Sequence, residues 1–264
     1  MIEMIGKQRI TRLATAILRG GGVVAFPTAM AMLRENKQAT SRTLEWLVKA
    51  GMLRKIRVPG GGHVWMSERT LVRTYDPNEK PAVYKLSRQA DRWTPGPTFD
   101  HDQLALRVLF SLAEPWDLLT EHEIRRTGCW EGRVPDGVLR LTDSFLRCEI
   151  LAELEVETSR KTGAVYRPNS TQGGWAKLAE KLYRVCHDWI GGRQSTSLGM
   201  TDATLIVASR AHADAIRKKI AEVDRCLQSP EEKYVERDKE ATLWYYAELL
   251  ADGTVGQPEF DLLA

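Results

Sequence analysis

The sequence predicts an α/β protein, α+β overall, in which a small basic helical head precedes a larger acidic body built on a mixed sheet flanked by helices. Three observations predict it. Through Tyr75 there are 13 Lys/Arg against 4 Asp/Glu, whereas from His101 onward 21 oppose 27. Within the first 75 residues, short helical periodicities joined by tight turns lead into a glycine-centred hairpin. Beyond residue 100 helix-like and strand-like segments alternate, the pattern of a sheet covered by helices.

A chain of 264 residues is long for one core and divides naturally into two. The expected division is a head at 1–75, a linker at 76–100, a body at 101–228 and a C-terminal helix and tail at 229–264. The linker is polar and carries Pro77, Pro81, Pro95 and Pro97.

In the head, Ile10, Leu13, Ile17 and Leu18 share one face of a helix over 7–19, which Gly20-Gly21-Gly22 stops. Pro27-Thr28 opens a second helix, Ala29 to Asn36, with Thr28 as its cap. A third, Arg42 to Ala50, is capped by Thr40 or Ser41, carries Leu44, Leu47 and Val48 at helical spacing, and ends at Gly51. Met52 to Val58 and His63 to Met66 alternate as strands about the turn Pro59-Gly60-Gly61-Gly62, which makes the pair a wing. Trp46 and Trp65 are expected to anchor this small core.

The body begins with a helix from Gln103 to Leu112, followed by one from Thr120 to Arg126 whose Thr120-Glu121-His122-Glu123 fits a capping box. Strands follow at Val134 to Leu141 and Cys148 to Val156, then a helix from Gly174 to Ile190, a strand from Ala203 to Ala208 and a helix from Ala211 to Leu227. Pro230 to Leu250 reads as a charged helix carrying Trp244, Tyr245 and Tyr246.

Composition excludes several classes. No apolar run approaches the length of a bilayer span, and Met1 to Lys7 lacks the apolar core of a signal peptide, so a cytoplasmic protein with no membrane partner is expected. Cys129, Cys148, Cys186 and Cys226 are scattered without zinc-ligand or disulfide spacing and read as buried thiols.

The basic excess of the head favours a polyanion, because Lys and Arg that neutralise phosphates release condensed counterions. A helix-turn-helix reads double-stranded DNA with the N-terminal residues of its second helix, here Thr40, Ser41, Arg42 and Thr43. Lys37, Lys49, Arg54, Lys55 and Arg57 lie where turn and wing meet the DNA backbone, and His63 stands on the returning wing strand. Arg42 is the best base reader of the set, since guanidinium chelates guanine with two hydrogen bonds.

The body offers a different chemistry. Asp136 stands at the start of one strand, and Glu153, Glu155 and Glu157 recur at period two on its neighbour, so the three glutamates share a face and Glu155 can join Asp136 at one edge. Lys161 follows four residues after Glu157. Carboxylates that cluster around a hard cation, with a cationic group nearby, are what metal-dependent phosphodiester cleavage requires.

Pro135-Asp136, then Glu155-Val156-Glu157-Thr158-Ser159-Arg160-Lys161-Thr162, with Phe99 to Ala105 and Leu119 to Arg125 upstream, resembles the replication-relaxation family of plasmids and mobile elements. That family is related to the C-class mobilisation relaxases and to the restriction-endonuclease-like PD-(D/E)xK superfamily, and its members commonly carry a winged helix before the nuclease-like fold. The resemblance covers roughly residues 10 to 227. It implies DNA processing, or accessory work beside other transfer or replication proteins, with Asp136 and Glu155 as metal ligands for magnesium or manganese. It further implies Glu157 as an additional ligand, Lys161 as the cationic partner, Glu123 or Glu121 as an extra acid, and His101 near the start of the fold. The superfamily places lysine two residues after the strand glutamate, where this chain has Glu157. Relaxases also use a nucleophile, usually tyrosine; Tyr166, Tyr183, Tyr234, Tyr245 and Tyr246 are available and nothing selects one. The alternative to a nicking enzyme is a non-catalytic accessory factor or transcriptional regulator whose nuclease-like part serves homodimer formation or partner docking.

Overall fold

The computed structural model describes residues 2–58, 62–67, 95–128, 130, 134–143, 148–158, 195–201, 203–227 and 243–260. It divides into two compact units, Met1–Thr127 and Gly128–Ala264. Residues 76–94 of the linker expected at 76–100, the helix expected at 174–190 and residues 229–242 of the C-terminal helix and tail expected at 229–264 lie outside the described residues.

The first unit runs α1 (Ile2–Arg19), β1 (Val23–Ala25), α2 (Phe26–Leu33), α3 (Lys37–Lys49), β2 (Leu53–Arg57) and β3 (His63–Ser67). Then come α4 (Phe99–Leu112), a 3-10 turn (Pro115–Asp117), the short strand β4 (Leu118–Thr120) and α5 (Glu121–Thr127). Leu13, Ile17, Met32, Leu44 and Leu47 from the first three helices are fully buried, each such burial contributing about 1.5–3 kcal/mol. The glycine triplet ends α1 as expected: Gly22 N–H donates to Ile17 O at 2.7 Å, and Gly21 and Gly22 take φ of 89° and 85°, where a Cβ is strained.

The hairpin forms as expected, antiparallel with Lys55 opposite Trp65 and Arg57 opposite His63. The sequence pattern did not reveal β1, which adds to β3 and completes a sheet of order β1-β3-β2. Val23-Val24-Ala25 is too short to show alternation, and its ladder partner lies some forty residues away in sequence.

Both later helices of the head begin earlier than predicted. In α2 Pro27 sits in the first turn, and the Ala25 cap carries no side-chain bond. Thr28 is buried and donates its hydroxyl to Gln103 O at 3.0 Å, so it is not the cap. Arg34, at φ 54°, ends the helix. The cap of α3 is Asn36, whose side chain accepts from Ala39 N–H at 3.0 Å, and not Thr40 or Ser41.

Helix α4, expected to open the body, belongs to the first unit. Buried Gln103 accepts from Ala25 N–H at 2.7 Å and donates to Val23 O at 3.1 Å, which ties it to β1. Glu114, just after α4, pairs with both Arg12 and Arg34. The predicted end of the first module at residue 75 therefore shifts to Thr127. Apolar packing shares the junction, with Phe99 against Ile56, Val64 and Met66 and the Leu106 side chain beside Gly20; these partners lie far apart in sequence, so no local pattern announces them.

The second unit contains β5 (Gly137–Asp143), β6 (Cys148–Glu157), the two-stranded ribbon β7 (Ser195–Thr196) and β8 (Gly199–Met200), β9 (Ala203–Ala208), α6 (Arg210–Leu227), β10 (Leu243–Glu248) and β11 (Glu259–Phe260). Five strands of this unit form a mixed sheet in the order β11-β10-β9-β6-β5. The β5-β6 and β10-β11 pairs are antiparallel, whereas β6-β9 and β9-β10 are parallel. A mixed sheet in an α+β chain is the coarse architecture expected; the placement of a helix between the parallel strands β9 and β10 is additional. The charged helix predicted through Leu250 is corrected at its end: Leu243–Glu248 is a strand, as suits the aromatic run Trp244-Tyr245-Tyr246 once a buried neighbour strand is present.

Candidate nucleic-acid interface and acidic sheet face

With Asn36 as its cap, α3 turns a different face outward from the one expected. Thr40 and Thr43 are buried. Their hydroxyls donate within the helix, to Asn36 O at 3.0 Å and Ala39 O at 2.8 Å, so neither can reach a base. Ser41 is half-buried and donates to Glu45 at 3.4 Å. Lys37, Gln38, Arg42, Glu45, Trp46 and Lys49 are exposed. Trp46 is 49% exposed, which overturns its expected core role, whereas Trp65 is buried at 8% as expected and packs on Phe26. The clue in the sequence was Asn36 itself: a cap there sets the helical phase and leaves Gln38, Arg42, Trp46 and Lys49 on one stripe.

On the hairpin, Lys55, Arg57 and His63 are exposed, and Arg54 is half-buried. Register puts Lys55, Arg57, His63 and Trp65 on one face of the ribbon. The Lys55 ammonium lies 5.7 Å from the centre of the Trp65 ring, a contact that restrains it without neutralising it.

Four acids of this unit are engaged away from α3, while Glu45 stands on α3 itself. Glu35 holds Arg9, Glu114 holds Arg12 and Arg34, Glu121 holds Arg125, and Glu123 holds Arg19. Among the described residues, Lys37, Arg42, Lys49 and Arg57 have no ion-pair partner. Among the described residues of this unit, α3 and the wing thus carry most of the cations without an ion-pair partner, Arg126 of α5 being another.

Glu123, expected as an extra catalytic acid, is a clamp. Its carboxylate takes two hydrogen bonds from Arg19, at 2.6 and 3.0 Å, and accepts from Thr120 N–H at 3.0 Å. The Thr120 hydroxyl in return accepts from Glu123 N–H at 3.2 Å, which closes the predicted capping box. Arg19 also donates to Pro115 O and Leu118 O. His101 stands 3.8 Å from Asp102 on α4.

In the second unit the acids lie on the sheet itself. Glu153, Glu155 and Glu157 alternate along β6 and share a face as predicted, yet that face is buried: the three are 8%, 1% and 5% exposed, and Asp136 is 9% exposed. Asp136 precedes β5 and grips β6 on both sides of Glu155. Its N–H donates to Leu154 O at 3.0 Å, and its carboxylate accepts from Val156 N–H at 2.7 Å. This brings Asp136 alongside Glu155 just before β5 begins. Glu153 accepts from the Thr201 hydroxyl at 3.3 Å. Opposite register partners extend the polar row to Thr204 and, through Ile206, to Tyr246.

Among the described residues no three His, Cys, Asp or Glu side chains gather as a metal-ligating group. Asp136 and Glu155 are hard oxygen donors of the kind magnesium or manganese accepts, and magnesium is commonly held by one or two carboxylates. Lys161 lies outside the described residues, as do Tyr166, Tyr183 and Tyr234. Tyr245 is buried. Burial and, next, the Glu248 charge raise the pKa of the Tyr246 phenol, which donates to Ala208 O at 3.2 Å; a phenol so held is poorly set to attack phosphorus. Cys148 is exposed, against the expectation of a buried thiol.

Among the described residues no helix is long and apolar enough to cross a membrane. No protein-family model, curated protein or solved structure matches the chain.

Proposed function

We propose that this chain is a DNA-binding protein of plasmid or mobile-element mobilisation or replication, which docks on duplex DNA through α3 and the β2-β3 hairpin of a winged helix. The order α1-β1-α2-α3-β2-β3, with β1 closing the sheet, supports that reading of the first unit. The observation that carries it is the partition of charge: arginines of α1 and α2 are matched by glutamates, whereas Lys37, Arg42, Lys49 and Arg57 face solvent without an acid among the described residues. Unmatched exposed cations raise the local potential and reward phosphate contact through counterion release.

The test is fluorescence anisotropy of the full chain on duplex DNA over a salt series. Log affinity should fall linearly with log salt, and Lys55→Ala with Arg57→Ala should flatten the slope by about 2, close to 0.9 for each phosphate no longer neutralised. Failure to bind any duplex at low ionic strength would sink the proposal.

A second reading, metal-dependent nicking of one strand, is favoured by the Asp136 and Glu155 juxtaposition on β5 and β6. Those two carboxylates would hold the ion. When bound, magnesium or manganese supplies polarisation of a phosphate oxygen. The chain's own contribution is to fix Asp136 through Val156 N–H and to keep the acid row out of bulk water. Supercoiled plasmid should be nicked by the wild type with either metal, and not by Asp136→Asn or Glu155→Gln. Absence of product with both metals assigns the sheet unit to dimerisation or docking of other transfer proteins.

A further inference from the structure

We infer that base-sequence readout runs along the stripe Gln38, Arg42 and Trp46 of α3, with the threonines of the same helix excluded from it; this rests on the DNA-binding reading above. Three observations carry it. The Asn36 cap fixes the helical phase, and Thr40 and Thr43 are turned into the core with their hydroxyls satisfied. Gln38, Arg42 and Trp46, spaced four residues apart, therefore lie along one exposed face. Trp46 keeps half of its surface in water, costly apolar area that a groove wall can cover.

Each residue type has a distinct partner in the major groove. Glutamine bridges adenine N6 and N7, and arginine bridges guanine O6 and N7. An indole edge has no donor pattern to match except through its single N–H, and its apolar area fits the thymine methyl. Four residues of helix rise about 6 Å, and base pairs stack at about 3.4 Å, so successive readers sit roughly two base pairs apart. The stripe thus spans a half-site of about four to five base pairs, with guanine near the centre, adenine on the Gln38 side and thymine on the Trp46 side. Glu45 is exposed beside the stripe and receives the Ser41 hydroxyl. Its charge opposes phosphate and favours only a cytosine amino group, so it holds the helix off the backbone on that side.

The experiment selects duplexes from a randomised pool with the full-length protein, then compares affinity for the selected duplex with that for a scrambled one at fixed salt. Gln38→Ala, Arg42→Ala and Trp46→Ala should each lower the selected-to-scrambled ratio by about tenfold or more. Gln38→Ala and Trp46→Ala should leave scrambled affinity within about twofold, since neither removes charge. Gln38→Glu should move the preference at its position from adenine towards cytosine, a gain that misfolding cannot mimic. Thr40→Val should leave the ratio unchanged. Wild-type binding without sequence selection, or an unchanged ratio in all three alanine variants, overturns the inference while the DNA-binding reading stands. No binding to either duplex overturns that reading itself.

Discussion

Carboxylates do opposite work in the two units. In the first, Glu35, Glu114 and Glu123 sit half-exposed and each holds an arginine, so the acids join helices and take cations of α1 and α2 out of play. In the second, Glu153, Glu155 and Glu157 lie buried along a single strand with Asp136 beside them. Charge counted along a sequence is therefore not the charge a partner meets. Among the described residues, the cations left without an acid lie mainly on α3 and the wing, and the β6 glutamates are buried where composition would place them on the surface. Buried carboxylates in a row are costly to keep unless each is hydrogen-bonded or paired.

The sharpest way to break this contrast is to remove an arginine from its clamp. Arg19→Ala strands the Glu123 carboxylate and the carbonyls of Pro115 and Leu118, all partly buried. It should lower stability by about 2–3 kcal/mol, read by urea unfolding. A neutral result would mean that the acids of the first unit are not structural, and the contrast with β6 would dissolve.

Next in size is the cap that phases α3. Asn36→Ala removes the acceptor for Ala39 N–H and should cost about 1 kcal/mol, with Asn36→Asp largely retaining it. Because that cap decides which side chains face outward, DNA affinity should fall with stability in the alanine variant. A stable variant with unaltered affinity would show that the phase of the helix is set by Leu44 and Leu47 packing alone.

How much of this was legible follows the same line. The strands β5, β6 and β9 and the hairpin were readable because alternation and turn glycines are local signals. So was the common face of Glu153, Glu155 and Glu157, since period two places alternate residues of one strand on one face. The attachment of α4 to the head was not, because the segments that meet there, through Gln103 and Thr28 and through the packing of Phe99 and Leu106, are far apart in sequence. Burial of the acid row was equally invisible: Glu-Leu-Glu-Val-Glu is the pattern of a half-solvated strand, and only the coverage of both sheet faces makes it an interior one. The outward stripe of α3 lay between these cases. The asparagine was in plain view, but three hydroxyl residues that also cap well follow it closely, and tertiary packing chose among them.

A smaller effect tests that choice directly. Thr40→Val keeps the shape of a fully buried side chain and deletes only a bond within the helix, so stability should change by less than about 0.5 kcal/mol. DNA affinity should not move, whereas Arg42→Ala should weaken it with stability intact. Loss of affinity in Thr40→Val would return the threonine face to the interface.

The least expected shift concerns His122 on α5. Burial first, then the Arg126 charge, lower its pKa from the ordinary 6.5, with Glu123 and Glu121 pulling the other way. The unfolded chain therefore binds this proton more readily than the folded one. Above 6.5 both states are neutral here and stability is unaffected; as pH falls below 6.5 towards the lowered folded pKa, protonation favours the unfolded chain and stability declines. Carboxylates titrate at lower pH and blur the absolute curve, so the measurement is the difference between wild type and His122→Gln. The wild type should lose more stability than the variant between neutral pH and the mildly acidic range. The imidazole packs beside the glycine turn, where a Cβ added at Gly21 would stand 3.6 Å from His122 Nδ1. Parallel curves would mean that this packing does not exclude water, and that the ring is solvated in both states.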